Sequence, residues 1–317
     1  MSLFKSALAL SGGSARGLSH LGVIQQIEKR NLKFDLIVGS SMGAMVGGLY
    51  AFFGNVDRVV ESFNDLFGSK PFLKAASSAI DEGSAFMGPE GFFNRSIWLF
   101  RHGLFYTRTL LQMDLVGEEL FEELLSMLIP DVLIEELPVR FAAVAMDLDT
   151  GEEVVLTRGP LRRAIAASVA IPGIFPPVKV GRRTLVDGGW ADNVPASPAV
   201  ALGAHFVLAV DAALEIPAMN SGHRSALEIL FRCNEITRIL LTGHRKSAAD
   251  VLIVPEIGDT FWADFTSMDH CMAAGRKAFE ENLPAIVKQM RMRRLRTLEG
   301  TIHPGRNGQW NHPMVID

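Results

Sequence analysis

The chain has 317 residues, enough for one large α/β domain with a sizeable insertion. Apolar residues make up 48% and charged residues 21%, which excludes wholesale disorder, and a net charge of −4 leaves no electrostatic footprint for nucleic acid. Two cysteines, Cys233 and Cys271, exclude a disulfide framework and have no metal-ligand neighbours at the right spacing.

The opening residues MSLFKSALALSGG hold too short an apolar stretch for a signal peptide, and no window reaches about 18 uncharged apolar residues. The expectation is a cytoplasmic protein that touches any membrane only peripherally. Residues 6–10 (SALAL) read as a short buried strand, followed by Gly12, Gly13 and Gly17 and a helix over 18–30. Residues 35–39 (DLIVG) read as a second strand, and 42–53 as an apolar helix rich in small residues. Strand, glycine-rich turn and helix, repeated once, predict a mostly parallel, doubly wound sheet.

Residues 68–138 read differently, as a helical insertion or cap. Within it, 92–105 is aromatic and apolar, and 109–128 has a helical pattern with acidic residues at Glu118, Glu119, Glu122 and Glu123. The stretch 92–105 fits core packing under the cap better than a membrane-contacting lid. The sheet pattern resumes with a strand at 139–147, a turn at Asp149-Thr150-Gly151 and a hairpin partner at 153–157. A helix follows over 161–169, then a second hairpin of 178–180 and 184–186 turning at Gly181. Residues 204–211 form a core strand, 225–249 a long helix, 251–254 a last strand and 268–296 a C-terminal helix. That helix ends in Lys288, Arg291, Arg293, Arg294 and Arg296, read as a solvated helix end rather than a headgroup contact. The catalytic domain is thus expected over 6–211, completed by 212–299, with a flexible tail over 300–317.

Three glycine-rich turns, each directly after an apolar strand, carry the candidate chemistry. Gly39-Ser40-Ser41-Met42-Gly43 fits G-x-S-x-G between a strand and a helix. Such an elbow lifts the central Ser41 hydroxyl clear of the sheet and sets it at a helix N-terminus, where developing negative charge is stabilised. Ser40, off-centre, is a structural residue in this reading. Ser11-Gly12-Gly13-Ser14-Ala15-Arg16-Gly17 offers backbone N–H groups for an oxyanion. A dinucleotide cradle is the main competitor, but Ser14 stands where G-x-G-x-x-G needs glycine, and no Walker Lys-Ser/Thr pair follows. Asp35, near the spacing of a ribose-binding acid, starts its strand instead of ending it. Asp187-Gly188-Gly189 places a carboxylate at a strand end, though alone it is an ordinary turn.

Taken together these turns resemble the patatin-like phospholipase family. The resemblance rests on 10–17 with His20 and Gly22-Val23, on 39–44, on 167–177 (ASVAIPGIFPP), on Asp187-Gly188-Gly189 and on Asn193-Val194-Pro195. It implies a three-layer α/β/α fold with a mostly parallel central sheet, and a Ser–Asp dyad that cleaves acyl esters of phospholipids, lysophospholipids or neutral lipids. In that reading Ser41 is the nucleophile and Asp187 its base. Gly12, Gly13, Ser14, Arg16 and Gly17 form the oxyanion loop, and Gly39, Met42 and Gly43 form the elbow. The chain departs from the family at Ser14, where glycine is usual; a serine retains its N–H, but its side chain narrows the site.

No cofactor or metal is implied, since no carboxylate cluster has Ca²⁺-loop spacing. None of His20, His205, His244, His270, His303 and His312 lies in a turn matching a triad. The partner expected is a lipid or acyl-ester substrate; oligomeric state is not legible. Two other readings stay open: a triad-type α/β-hydrolase, and a lipid-binding protein of the same fold with weak or no catalysis.

Overall fold

The computed structural model describes residues 4–73, 116–212, 246–258, 260 and 264–299, isolated positions between 229 and 241, and the short strand Met314–Ile316. Five parallel strands form the centre of the sheet: β1 (Ser6–Leu10), β2 (Leu36–Ser40), β3 (Arg140–Asp147), β7 (Phe206–Val210) and β8 (Val251–Ile253). Their order is β3-β2-β1-β7-β8. The chain winds outward from β1 in one direction and resumes on its other side with β7, so β1 marks the switch point where a crevice opens at the carboxyl ends of the strands. Antiparallel pieces extend the β3 side: β4 (Glu153–Leu156) pairs with β3, as does β6 (Arg183–Asp187), and β5 (Val178–Val180) pairs with β6.

Alternation along the strands builds two cores. Leu8, Leu10, Ile37, Phe141, Leu208 and Val210 face one side, and Ala7, Ala9, Val38, Val144, Val207 and Ala209 the other. The first side carries α1 (Ser19–Lys29), α2 (Met42–Phe53), α3 (Val56–Phe67), α4 (Glu118–Leu128), α5 (Leu161–Val169) and α7 (Met268–Leu298). The second side carries the short helix α6 (Ala196–Ala201) through Ala196 and Ala199. This is the expected α/β/α layering with a mostly parallel, mixed sheet.

The β3–β4 and β5–β6 hairpins, α2 and α5 form where the sequence predicts them. The helix expected over 109–128 is described from Glu118, and its Phe121, Leu125 and Leu128 are buried in the main core. This part of the expected cap therefore belongs to the domain itself. The stretch 92–105 lies outside the described residues, as does most of 225–249. Two helices are additions to the sequence reading. Residues of α3 carry an Asn55 cap, whose Oδ1 accepts the Arg58 N–H at 3.0 Å. The second, α6, is too short to show a period.

Within 300–317 one element is described. Met314–Ile316 forms β9, parallel to β4, the ninth strand of the sheet among the described residues. The physical reason is the open edge of β4, whose unpaired backbone groups accept an apolar, β-branched segment.

Candidate active site

The elbow follows from what the backbone must do between β2 and α2. Ser41 has φ 53° and ψ −124°, a sparsely populated conformation for a residue with a side chain. It turns the chain abruptly from strand to helix. A Cβ on Gly43 would collide with the Leu10 carbonyl, and one on Gly39 with the Gly43–Ala44 backbone. Both glycines are therefore required by close approach, as the motif predicts. The strained turn is braced from outside: the Ser41 N–H donates to Ser168 Oγ at 2.9 Å, and that hydroxyl donates to the Val144 carbonyl at 2.6 Å. Ser168 is fully buried on α5. Ser40 is buried too, with its Oγ packed towards Gly188, in agreement with a structural role.

Strand register brings Asp187 to the elbow. Along β3, Val144 pairs with Ser40 of β2, and the next residue, Ala145, pairs with Asp187 of β6. The residue after each partner, Ser41 and Gly188, therefore leaves the sheet at the same place. A Cβ on Gly188 would strike the Val144 carbonyl and lie 2.7 Å from Ser40 Oγ, so Asp187 needs glycine after it to come this close. Asp187 is 2% exposed; its Oδ1 accepts the Gly189 N–H at 2.7 Å, and its own N–H donates to the Ala170 carbonyl at 3.0 Å. The carboxylate is thus oriented at both ends of its residue.

The loop after β1 closes the third side, and its five predicted residues divide by what they can contribute. The Gly12 N–H is used by the Asn193 carbonyl at 3.1 Å. Gly17 lies in the short 3-10 turn Ser14–Leu18, where a side chain would run into Met42 of the elbow. Arg16 is buried and clamps two neighbouring loops, with Nε 3.3 Å from the Ala212 carbonyl and Nη1 3.3 Å from the Gly258 carbonyl. Its guanidinium thereby ties the loop to both neighbours. Gly13 and Ser14 remain: among the described residues their N–H groups have no hydrogen-bond acceptor. Ser14 sits at φ 49°, the left-handed region, which explains why glycine is the easier residue there.

His20 supports the same loop from α1. It is fully buried, and its Nε2–H donates to the Ser11 carbonyl at 2.8 Å. Burial lowers its pKa to about 4, outweighing the Ser11 hydrogen bond and the nearby Asp211, which both act to raise it. The ring is neutral near pH 7, with its N–H committed to the backbone. His205 accepts the Lys5 N–H, and the His270 ring bonds to the Ile257 carbonyl, so both belong to the scaffold. His244, His303 and His312 lie outside the described residues.

Two competing expectations can be placed. The Asp35 carboxylate accepts the Ser6 N–H at 2.8 Å and the Ser6 hydroxyl at 3.0 Å, at the amino end of β1 and β2. It therefore sits at the edge of the sheet opposite the elbow, where it has no ribose to meet. The basic end of α7 is also remote. α7 starts beside Ile257, after β8, where His270 bonds; it reaches Asp250, before β8, where Arg293 Nε bonds at 2.7 Å. It thus runs back along the sheet to the edge away from Ser41. Among the described residues no group of three His, Cys, Asp or Glu side chains converges on a metal position, and no helix is long and apolar enough to cross a membrane. Cys233 is exposed and Cys271 buried, both as free thiols.

Two residues that the sequence reading left without a role belong to this site, Ser168 and Asn193. Both lie within the segments carrying the resemblance, but a buried bridging hydroxyl leaves no periodic or motif signal.

The chain is similar in sequence to several known proteins. A family profile described as patatin-like phospholipase matches residues 8–200. An uncharacterized NTE family protein of Mycobacterium bovis is 35% identical over 206 residues, which are 64% of this chain and 48% of that protein. Lysophospholipase NTE1 of Mycosarcoma maydis is 31% identical over 204 residues, 64% of this chain and 9% of that protein. The chain thus matches about half of the first relative and a small part of the second. Among solved structures, VipD from Legionella pneumophila aligns over 90% of this chain and 67% of its own at 14% identity, with a TM-score of 0.45. With its profile match running from β1 into α6 and including the elbow, the glycine-rich loop after β1 and the Asp187 turn, this chain belongs to the patatin-like phospholipase family.

Proposed function

We propose that the chain is a serine acyl-hydrolase that cleaves carboxylic esters of phospholipids or related acyl lipids through an acyl-enzyme, with Ser41 as nucleophile and Asp187 as base. The observation that carries this reading is the β3 register, which sets the strained Ser41 turn and the buried Asp187 carboxylate on consecutive partners. Family membership and the lysophospholipase among the relatives support a lipid ester as the substrate class.

In this mechanism the Ser41 hydroxyl attacks the ester carbonyl while its proton passes to Asp187. An ordinary aspartate, with pKa about 3.9, is a weak base toward an alcohol, so transfer accompanies attack. Negative charge grows on the carbonyl oxygen and is met by the Gly13 and Ser14 N–H groups, aided by the N-terminus of α2. Collapse breaks the bond to the leaving alcohol, which takes the proton from Asp187. Water then attacks the acyl-serine and gives its proton to Asp187; collapse breaks the acyl–Oγ bond, Ser41 Oγ takes that proton back from Asp187, and the fatty acid leaves. A neutral His20 bonded to Ser11 supports the loop and leaves the base role to the carboxylate.

The test uses purified protein, a p-nitrophenyl ester, a lipid panel and a fluorophosphonate probe. Ser41→Ala is expected to lose labelling, and Asp187→Asn to lose turnover while remaining folded. Near-normal turnover in Asp187→Asn, with loss in His20→Ala, overturns the dyad in favour of a histidine-based mechanism. A wild-type chain that neither labels nor turns over any ester marks a non-catalytic lipid binder.

A further inference from the structure

Asn193 lies on the same excursion as Asp187, between the Gly188–Trp190 turn and α6. Its backbone carbonyl accepts the Gly12 N–H at 3.1 Å, which ties the excursion to the oxyanion loop. Asn193 is 2% exposed, and its side chain reaches the gap between that loop and the elbow. A Cβ placed on Gly12 would lie 2.6 Å from Asn193 Oδ1 and 3.0 Å from Ser41 Cβ. The Asn193 amide, Gly12 and the base of the Ser41 side chain therefore share one small space.

The donor end of this amide, Asn193 Nδ2, is buried and has no hydrogen-bond partner among the described residues. A buried amide left without a partner costs about 1–3 kcal/mol, and such groups in folded proteins call for an explanation. A side chain retained for packing alone would have no need of an amide here. A donor held dry beside a nucleophile gains its partner when an acceptor arrives, which is how preorganised donors favour a transition state over a ground state.

We infer that Asn193 is a further catalytic residue: its Nδ2–H donates to the acyl oxygen of the ester as negative charge develops there, as a third donor beside the Gly13 and Ser14 N–H groups. No proton is transferred in this role; the hydrogen bond strengthens as the carbonyl becomes an oxyanion and relaxes when the acyl-enzyme forms. The inference rests on Ser41 being the nucleophile, but not on Asp187 being the base.

The experiment compares wild type with Asn193→Ala and the isosteric Asn193→Asp. It measures kcat and KM on p-nitrophenyl butyrate, the rate of fluorophosphonate labelling and the melting temperature. Both variants are expected to lose about 100-fold in kcat and to label correspondingly slowly, with KM within about threefold and melting within about 2 °C of wild type. The split matters, because a structural asparagine would lower melting and change the folded fraction rather than kcat alone. Variants that keep kcat within about threefold overturn the inference. Loss of fold in both variants also overturns it, by making Asn193 a structural residue. If Asp187→Asn retains turnover while the Asn193 variants lose it, the dyad fails and the third donor stands. A wild type that neither hydrolyses nor labels removes both readings together.

Discussion

The N–H of Ser41 donates to the hydroxyl of Ser168, a residue 127 positions later in the chain, at 2.9 Å. The Ser168 hydroxyl in turn donates a hydrogen bond to the Val144 carbonyl on β3, at 2.6 Å. One buried hydroxyl therefore ties the strained residue of the elbow to the strand that sets its register with Asp187. Ser168→Ala removes an acceptor from a buried N–H and a donor from a buried carbonyl. The expected cost is about 1–3 kcal/mol in chemical unfolding, with a fall in kcat larger than any change in KM, because the proposed nucleophile loses its fixed backbone. Ser168→Thr, which keeps the hydroxyl, should recover part of the turnover. A fully active Ser168→Ala enzyme would show that the elbow holds its own geometry.

Gly188 has Val144 and Ser40 directly against the position where a side chain would begin. Gly188→Ala must push Asp187 away from the elbow or open the β3–β6 pairing. The expected result is a loss of about 2–3 kcal/mol of stability together with most activity, the stability measured by thermal unfolding. A stable and active Gly188→Ala protein would mean that the turn relaxes without moving the carboxylate.

Ser14 adopts φ 49°, at a cost of roughly 1 kcal/mol for a residue with a Cβ. Ser14→Gly relieves that strain but loosens the unfolded chain, so stability is expected to be unchanged or higher by up to about 1 kcal/mol. The N–H is retained, so turnover should be equal to wild type or greater. Ser14→Val should be destabilised, since a β-branched residue tolerates this conformation least. Melting curves and initial rates for the pair test whether the serine is a steric burden or makes a contact of its own.

His20 gives the fold an acid sensitivity. Its pKa is about 4 in the folded chain, against the ordinary 6.5. Between these values the unfolded chain binds a proton that the folded chain refuses, so stability rises with pH across this window. The contribution is complete above about pH 6.5, and roughly 3 kcal/mol of it is lost as pH falls to 4. His20→Gln should flatten this part of the profile relative to wild type, in urea unfolding measured from pH 4 to pH 7. Equal slopes in the two proteins would place the folded pKa of His20 close to its ordinary value.

What the sequence determined alone was local. A run such as SALAL can only be buried, a G-x-S-x-G between strand and helix can only bend sharply, and glycines such as Gly43 are dictated by the close approach they allow. Those constraints act within a few residues and leave a pattern, so the strands, α2, α5 and the sharp turn at Ser41 were legible. The closeness of Asp187 to that turn was legible only through its company with the other turns.

The tertiary structure decided what depends on partners far apart in the chain. It set Val144 and Ala145 side by side as the partners of Ser40 and Asp187, and it spent the Gly12 N–H on Asn193. It also turned Arg16 into a clamp on Ala212 and Gly258, sent the basic end of α7 to the edge away from the elbow and closed the chain's end onto β4. Residue types carry no record of which distant backbone group will lie within 3 Å. Hydrogen bonds are that short-ranged, so only the folded chain can assign them.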